Sequence, residues 1–392
     1  MDMLADDCAQ KIFKAKLLGR NWKEIGQNLN LGVKKTKTDV SSAYFLKSVL
    51  IKSNNKSKLP EERVNILIPI FNSILFTTAD DLSDAINEFR STSIMPIFVD
   101  ALGLVGTKTA YIVGKKAFTS VESEFLDRFL QALSQTTRID FEIISDLKIW
   151  MKNTNDEHVK KQIGFTVANL YRRYCESSKS LKNACDNGKN NDVNEFTDYV
   201  SAQCNDKIDN SHCHINALQI FRNLPLPTLL PYASQFLCGA KNTKLLQKEA
   251  LRFLQALDGK HLHWKTIHKL LRIFRNTCSF SQTVTDQTLA IEILLNALPH
   301  TEMIGTYLLR MEELFPTEQE KWTYFYSNVA RRRQMSSTFN AYWTKMRSFR
   351  VFRPNYAHRS LNGTSDVSVI NIEGKRCMII KKKYFPYIKY LP

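Results

Sequence analysis

Histidines and cysteines that could bind a metal ion lie close together at two places in the sequence. His212 and His214 flank Cys213, and Cys204 lies upstream. A structural zinc site needs four ligands, usually in pairs spaced as CxxC or HxxxH, and the spacing of these cysteines fits neither pattern. The second place, HLH at 261–263, puts its two histidines on different faces of a helix. We therefore predict no metal site and no cofactor.

The motifs that position catalytic groups or bind phosphates are absent from the sequence. There is no GxSxG nucleophile motif, no GxxxxGK[ST] loop and no GxGxxG loop. Gly103 and Gly106 are predicted to lie in a loop between two helices, with too few glycines around them for a phosphate-binding backbone. These observations predict that the chain is not an enzyme.

Two cysteines enclose a short polar segment and could form a disulfide. Cys175 ends the predicted helix VANLYRRYC, and Cys185 closes the segment CESSKSLKNAC. A disulfide across a loop of this length would contribute about 2–3 kcal/mol in an oxidising compartment. The alternative is two reduced thiols, one at a helix end and one in a polar loop. The spacing alone leaves both interpretations open.

Aromatic and basic side chains alternate between residues 322 and 356. A nucleic-acid surface can use this pattern, because bases stack on aromatic rings and phosphates attract arginines. Two amphipathic helices that bury their aromatic side chains and expose their arginines give the same pattern, and we favour this packing interpretation. A protein-partner surface is a third interpretation, because arginines and aromatic residues are enriched at binding hot spots. The candidate residues of that surface are Arg331, Arg332, Arg333, Arg347 and Arg350.

The composition favours helices over sheets and gives the chain a basic surface. With 13 Gly and 11 Pro in 392 residues, turn-forming residues are scarce for an all-β fold. The net charge of +17 is spread along the chain, which fits a solvated surface with a basic bias. No stretch of about 18 apolar residues exists that could span a membrane. The N-terminus, MDMLADDCAQ, has no apolar core of signal-peptide length, so the chain as written is expected to stay in the cytoplasm.

Apolar residues recur at helical spacing along most of the sequence, and each set predicts one apolar stripe on a helix. Prolines such as Pro225 and Pro227 mark the breaks, because proline does not continue a helix interior. We predict an all-α fold, an α-solenoid of antiparallel helix pairs over 60–350, after an N-terminal helical extension at 1–59 and before an extended or disordered tail at 351–392. The stripes are Leu82, Ala85, Ile86 and Phe89; Phe125, Leu126, Phe129, Leu130 and Leu133; Ile163, Val167, Leu170, Tyr171 and Tyr174; Leu246, Ala250, Phe253, Leu254 and Leu257; and Ile291, Leu294, Leu295 and Leu298.

The order of segments from about residue 60 to residue 360 resembles the helical domain of the large lipid-transfer proteins, the vitellogenin-like family. The segments that carry the resemblance are SIMPIFVDALGLVGTKTAYIVGKKAF, VKKQIGFTVANLYRRYC, INALQIFRNLPLPTLLPYASQFLCGAKNTKLLQKEALRFLQAL, ALPHTEMIGTYLLRMEELFP and MSSTFNAYWTKMRSFRVFRPNYAHRSLNGTSD. Within the family, the chain is most similar to the large subunit of microsomal triglyceride transfer protein. The resemblance implies a double-layered, right-handed superhelix of α-helices.

The resemblance also implies a function, a compartment and partners. Proteins of this family carry neutral lipid and phospholipid and load them onto nascent lipoproteins in the endoplasmic reticulum. The resemblance favours a disulfide between Cys175 and Cys185 if the chain folds there. It implies protein disulfide isomerase as a partner, with the arginine-rich segments as the candidate interface. The alternative function, favoured by the charge and the N-terminus, is a helical-repeat scaffold that binds protein or RNA, although nucleic acid is not an expected partner.

The family places a β-barrel before the helical domain and lipid-binding sheets after it, and neither is predicted here. We therefore expect this chain to correspond to one domain of a larger lipid-transfer protein. Its concave face is expected to be more apolar than the usual surface of a monomer, because the sheets that would cover it are not predicted.

Overall fold

The computed structural model describes residues 42–54, 60–119, 123–204, 211–239, 244–297, 319–348, 365–372 and 375–382. Within these residues the chain is helical except for one hairpin, which confirms the predicted all-α class. The helices are α1 Ser42–Asn54, α2 Pro60–Ile74, α3 Ala79–Phe89, α4 Met95–Val105, α5 Lys108–Phe118, α6 Ser123–Leu133, α7 Phe141–Asn153, α8 Glu157–Glu176, α9 Lys179–Asp186, α10 Asn191–Ala202, α11 Ser211–Asn223, α12 Leu230–Ser234, α13 Lys244–Ala256, α14 Trp264–Phe274, α15 Val284–Asn296, α16 Gln319–Met335 and α17 Ser337–Arg347. Short 3-10 turns lie at Pro227–Leu229 and Gly259–His261.

The described residues fall into two compact units. One unit, Val40–Leu298, contains α1 to α15, and the other contains α16, α17 and the hairpin. The predicted domain boundaries at residues 59 and 350 remain predictions. The N-terminal part of the predicted extension, residues 1–41, lies outside the described residues.

The predicted stripes form the core of the larger unit. In α3, Leu82, Ala85, Ile86 and Phe89 are all buried, as the helical period requires. The stripes in α6, α8, α13 and α15 are buried in the same way, apart from the half-buried Phe125 and Tyr174 and from Leu298, which lies outside the described residues. Amphipathic periodicity therefore predicted the buried face of each of these helices.

Polar caps set where the helices begin. The hydroxyl of Thr107 accepts a hydrogen bond from the Ala110 backbone N–H at the start of α5. The residue before it, Gly106, ends α4 in the left-handed conformation with φ of 60°, which an L side chain adopts only with strain. The Gly-Thr pair therefore ends one helix and starts the next, as the sequence predicted.

The helices of the larger unit stack in two layers. In one layer α2, α4, α6, α8, α11, α13 and α15 pack side by side in that order. In the other, α1 packs on α3, α3 on α5, and α5 on α7. Pairs such as α1 with α2, α7 with α8, and α14 with α15 join the layers. This arrangement is the two-layered α-superhelix that the sequence predicted.

Gly103 is an exception to the predicted layout, because it lies inside α4 and not in a loop. A Cβ at this position would come within 2.6 Å of the Ala132 Cβ and 2.7 Å of the Phe129 carbonyl oxygen. The glycine therefore lets α4 and α6 approach closely, a packing requirement that sequence spacing did not show.

The tail forms an antiparallel hairpin of β1 Ser365–Ile372 and β2 Lys375–Lys382, with Ser365 opposite Lys382 and Ile372 opposite Lys375. The sequence left a strand pair and a disordered tail open for this region, and the extended chain is what the structure shows. No helix among the described residues is both long enough and apolar enough to cross a membrane.

Candidate functional site

Four of the five candidate partner-surface arginines lie on α16 and α17. Arg333 is exposed, and its Nε donates a hydrogen bond of 2.8 Å to the Asn340 Oδ1. Arg331 donates to the Asn328 Oδ1 at 2.8 Å, and Arg331, Arg332 and Arg347 are half-buried. The fifth candidate, Arg350, lies outside the described residues. The structure therefore brings the first four onto one helical pair.

The aromatic side chains of the same pair pack inward. Phe325, Tyr326, Phe339 and Trp343 are all buried. The rings of Phe325 and Trp343 lie 6.2 Å apart, and those of Tyr326 and Trp343 lie 6.1 Å apart. Tyr342 keeps part of its ring in solvent. The packing interpretation is confirmed for these buried rings, which are unavailable for stacking on nucleic-acid bases.

Three disulfides join pairs of helices and loops in the larger unit. Cys175 at the end of α8 is bonded to Cys185 in α9, with Cα atoms 6.0 Å apart. The other two bonds, which sequence reasoning missed, join Cys204 to Cys213 and Cys238 to Cys278. The spacing of Cys204 and Cys213 suggested only a possible metal site, whereas their Cα atoms lie 5.5 Å apart in the fold. The even number of eight cysteines was the available signal.

His214 and His261, two of the histidines considered as metal ligands, contact aromatic and carboxylate side chains. The Nδ1 of His214 lies 2.8 Å from the Tyr232 hydroxyl, and its ring lies 5.0 Å from that of Phe236. The Nε2 of His261 lies 4.0 Å from the Asp186 carboxylate. Among the described residues, no cluster of three metal-binding side chains occurs.

Burial sets the protonation of His214. The removal of water from its imidazole lowers the pKa below the ordinary 6.5, so the ring is neutral at physiological pH. Its neighbour Tyr232 is also half-buried, and the partial loss of water raises the pKa of that phenol, which keeps it protonated. The pair is therefore an uncharged packing contact.

A groove between α5 and α7, here called the α5–α7 groove, has a volume of about 460 Å3. Both walls carry charged side chains around an apolar floor. It is lined by Lys108, Tyr111, Ile112, Lys115, Lys116, Thr119, Glu142, Ile143 and Asp146.

Hydrogen bonds across the α5–α7 groove hold its two walls together. The Tyr111 hydroxyl and the Lys115 Nζ each donate to the Asp146 Oδ2 at 2.5 Å, and Lys108 pairs with Glu142. Partial burial of Asp146 favours its neutral form, but the hydrogen bonds from Lys115 and Tyr111 outweigh it and lower the pKa of this carboxyl. Asp146 is therefore a carboxylate that orients both donors.

A second cleft of about 400 Å3 lies where the ends of α8, α9 and α13 meet. Leu224, Pro225 and Leu257 provide apolar lining, and Arg172 and Glu176, which form an ion pair, are among its charged residues. Cys175 also lines it, so the cleft borders the first disulfide. Pro225 and Pro227, predicted as a helix break, both line this cleft: Pro225 lies between α11 and the following 3-10 turn, and Pro227 begins that turn.

Comparison with known proteins gives the same family as the sequence resemblance. Residues 47–282 match the family model described as the vitellogenin TPR domain. The chain is 29% identical over 288 residues to a protein of Caenorhabditis elegans named microsomal triglyceride transfer protein homolog, covering 73% of this chain and 31% of the relative.

A solved structure of lipovitellin, titled for its lipid–protein interactions, has the same fold with a TM-score of 0.60 at 16% identity. That match covers 84% of this chain and 34% of the lipovitellin chain. The chain thus spans about a third of the length of each of these two proteins. Because the family model covers more than half of the residues, the chain belongs to the vitellogenin TPR domain family, the helical domain of vitellogenin-like lipid-transfer proteins.

Proposed function

We propose that this chain supports the transfer of neutral lipid and phospholipid in the manner of the large subunit of microsomal triglyceride transfer protein, and that it contributes to lipoprotein assembly. The observation that carries the proposal is the 29% identity over 288 residues to a protein of that name. In this proposal the chain is not an enzyme.

The disulfides support the endoplasmic reticulum as the compartment. Disulfides persist in oxidising compartments and are rare in the cytosol. The three described bonds, Cys175–Cys185, Cys204–Cys213 and Cys238–Cys278, all lie in the helical array that carries the family match. We therefore place the proposed transfer function in the lumen of the endoplasmic reticulum.

The helical pair α16–α17 is the proposed surface for protein disulfide isomerase. Its aromatic side chains form a packed support, and its arginines lie around that support. Arginines on a rigid support suit recognition of an acidic partner, because the guanidinium pairs with carboxylates in a fixed geometry. Arg333 is the exposed member of the described set.

The experiment is co-purification of the chain from cells that express it in the endoplasmic reticulum, followed by mass spectrometry of lipids and proteins. Recovery of triglyceride or phospholipid together with protein disulfide isomerase supports the proposal. Recovery of RNA or of cytosolic scaffold partners without lipid contradicts it and supports a helical-repeat scaffold.

A charge reversal tests the partner surface. Arg333→Glu is expected to lower the recovery of protein disulfide isomerase by about tenfold. This factor corresponds to the loss of one charge-assisted contact that contributes about 1.4 kcal/mol to binding. Arg275→Glu is the matched control, because Arg275 is also exposed but lies at the end of α14. An equal loss with both variants would rule out a specific role for α16–α17.

A further inference from the structure

One face of α5 combines basic and apolar side chains in a row. Lys108, Ile112, Lys115 and Thr119 follow one another at spacings of four, three and four, so they lie along the same side of the helix. All of them line the α5–α7 groove. This row gives the groove a continuous wall along the length of α5.

The α5 wall of the groove exposes apolar surface above a buried floor. Ile112 is 51% exposed, although it lies in the middle of a helix whose other large apolar side chains are buried. Ile143 and Tyr111 are buried and close the floor on either side. An exposed isoleucine over a buried apolar floor is a site that an alkyl chain can cover with a gain in free energy.

The charges around this floor leave one positive charge in excess. Lys108 is paired with Glu142, and Lys115 with Asp146. Lys116 also lines the groove, is exposed, and forms no ion pair among the described residues. The groove therefore offers one cation beside an apolar surface, which complements a single anionic group on an apolar chain.

The size of the groove selects a small ligand over a protein partner. A volume of about 460 Å3 falls within the usual range of small-molecule sites, roughly 300–1,000 Å3. A stable protein interface needs about 800 Å2 on each partner, supplied by some 20–30 residues, whereas few residues line this groove.

We propose that the α5–α7 groove binds one long-chain fatty acid, with its carboxylate at Lys116 and its alkyl chain over Ile112. Such a ligand differs from the neutral lipid and phospholipid of the proposed transfer function. The site does not depend on that function, because it is built from the helical array alone.

The test is titration of the full-length protein with oleate below its critical micelle concentration, read out by displacement of the fluorescent fatty acid cis-parinaric acid. Wild-type protein is expected to bind with saturation at one site. Ile112→Glu is expected to weaken oleate binding at least tenfold, because a carboxylate would replace the exposed apolar surface and repel the carboxylate of the ligand.

The matched control is Ile149→Glu. Ile149 lies on α7, is 55% exposed and does not line the groove, so its substitution is expected to change the affinity less than twofold. Equal losses with the two variants, or no saturable binding to the wild type, would overturn the proposal.

The role of Lys116 has its own readout. Wild-type protein is expected to prefer oleate over uncharged oleyl alcohol at least fivefold. Lys116→Gln should abolish this preference, whereas Lys179→Gln, at an exposed lysine on α9, should retain it. A preference that survives Lys116→Gln would contradict the assigned position of the carboxylate.

Normal triglyceride recovery with Ile112→Glu would show that the transfer function and the fatty-acid site are separate.

Discussion

Single residues determine how closely the helices of one layer approach. Gly103 faces the backbone of α6, and its missing Cβ leaves room for the Phe129 carbonyl oxygen and the Leu133 backbone N–H. Two of the three atoms that would lie nearest to a Cβ at position 103 belong to the backbone of α6. A change of side-chain rotamer therefore cannot relieve the clash that such a Cβ would cause. The packing of α4 on α6 therefore depends on this one position.

Gly103→Ala is expected to lower the free energy of unfolding by about 1–3 kcal/mol, the usual cost of overpacking a core. Urea denaturation followed by circular dichroism measures the change. In a helix interior, alanine ordinarily gives a free energy of unfolding about 0.5–1 kcal/mol higher than glycine does. Any net decrease in the free energy of unfolding therefore reports the steric clash. A gain in stability would show that α4 and α6 can separate without cost.

His214 gives the fold a dependence on pH. Its pKa is lowered by burial, so the unfolded chain takes up a proton at a higher pH than the folded chain does. The free energy of unfolding should therefore fall as the pH drops from about 6.5 through the folded pKa, and His214 contributes no pH dependence above that window.

His214→Phe is expected to reduce this loss, because phenylalanine can keep the ring contact with Phe236 but cannot take up a proton. The measurement compares urea denaturation of both proteins at about pH 7.5 and about pH 5. If both proteins lose equal stability on acidification, His214 is not the responsible group.

At the scale of elements, α9 is held differently from its neighbours. It has eight residues, and Cys185 is its one buried side chain. A helix this short is marginal by itself in water, and its apolar burial is small. The disulfide to Cys175 therefore provides the main attachment of α9 to α8.

Replacement of Cys175 and Cys185 by alanine is expected to speed amide hydrogen exchange in α9 by roughly 30-fold or more. This factor corresponds to about 2 kcal/mol, the lower end of the contribution of a disulfide. The middle of α8, where Val167 and Leu170 are buried, should keep its protection. The matched control replaces Cys204 and Cys213 and should leave exchange in α9 unchanged. Slow exchange in α9 without its disulfide would mean that packing alone holds this helix.

At the scale of the whole molecule, the excess of positive charge is the dominant property. The chain has 55 Lys and Arg against 38 Asp and Glu. Among the described residues, the Glu195 carboxylate pairs with two lysines, Lys148 at 2.8 Å and Lys152 at 3.2 Å. Such a surface attracts polyanions by charge, but charge alone does not form a specific nucleic-acid site.

We expect no saturable binding of a labelled single-stranded RNA at about 150 mM salt, because the core aromatic rings of α16 and α17 are buried and cannot stack on bases. Fluorescence anisotropy of the labelled RNA, recorded at a series of salt concentrations, measures this binding. Weak binding confined to low salt is the expected electrostatic background. Tight binding that persists above about 200 mM salt would favour the RNA-scaffold alternative.

Properties that depend on neighbours along the chain could be predicted from the amino-acid sequence alone. The stripe Leu82, Ala85, Ile86 and Phe89 predicted the buried face of α3, because the helical period is a local property of the backbone. The break at Gly106 and Thr107 was equally readable, since a left-handed glycine and a hydroxyl cap act within a few residues. The order of such segments was sufficient to indicate the family.

Contacts between residues that are distant along the chain could not be predicted in this way, because they depend on how the helices pack in three dimensions. Cys238 and Cys278 are separated by 40 positions, and no local pattern indicates that they are bonded. The α5–α7 groove exists because Lys116 and Ile112 of one helix lie beside Ile143 of another. Such contacts depend on how the two layers stack, and stacking is determined by the packing of whole helix faces against each other, which local periodicity does not contain.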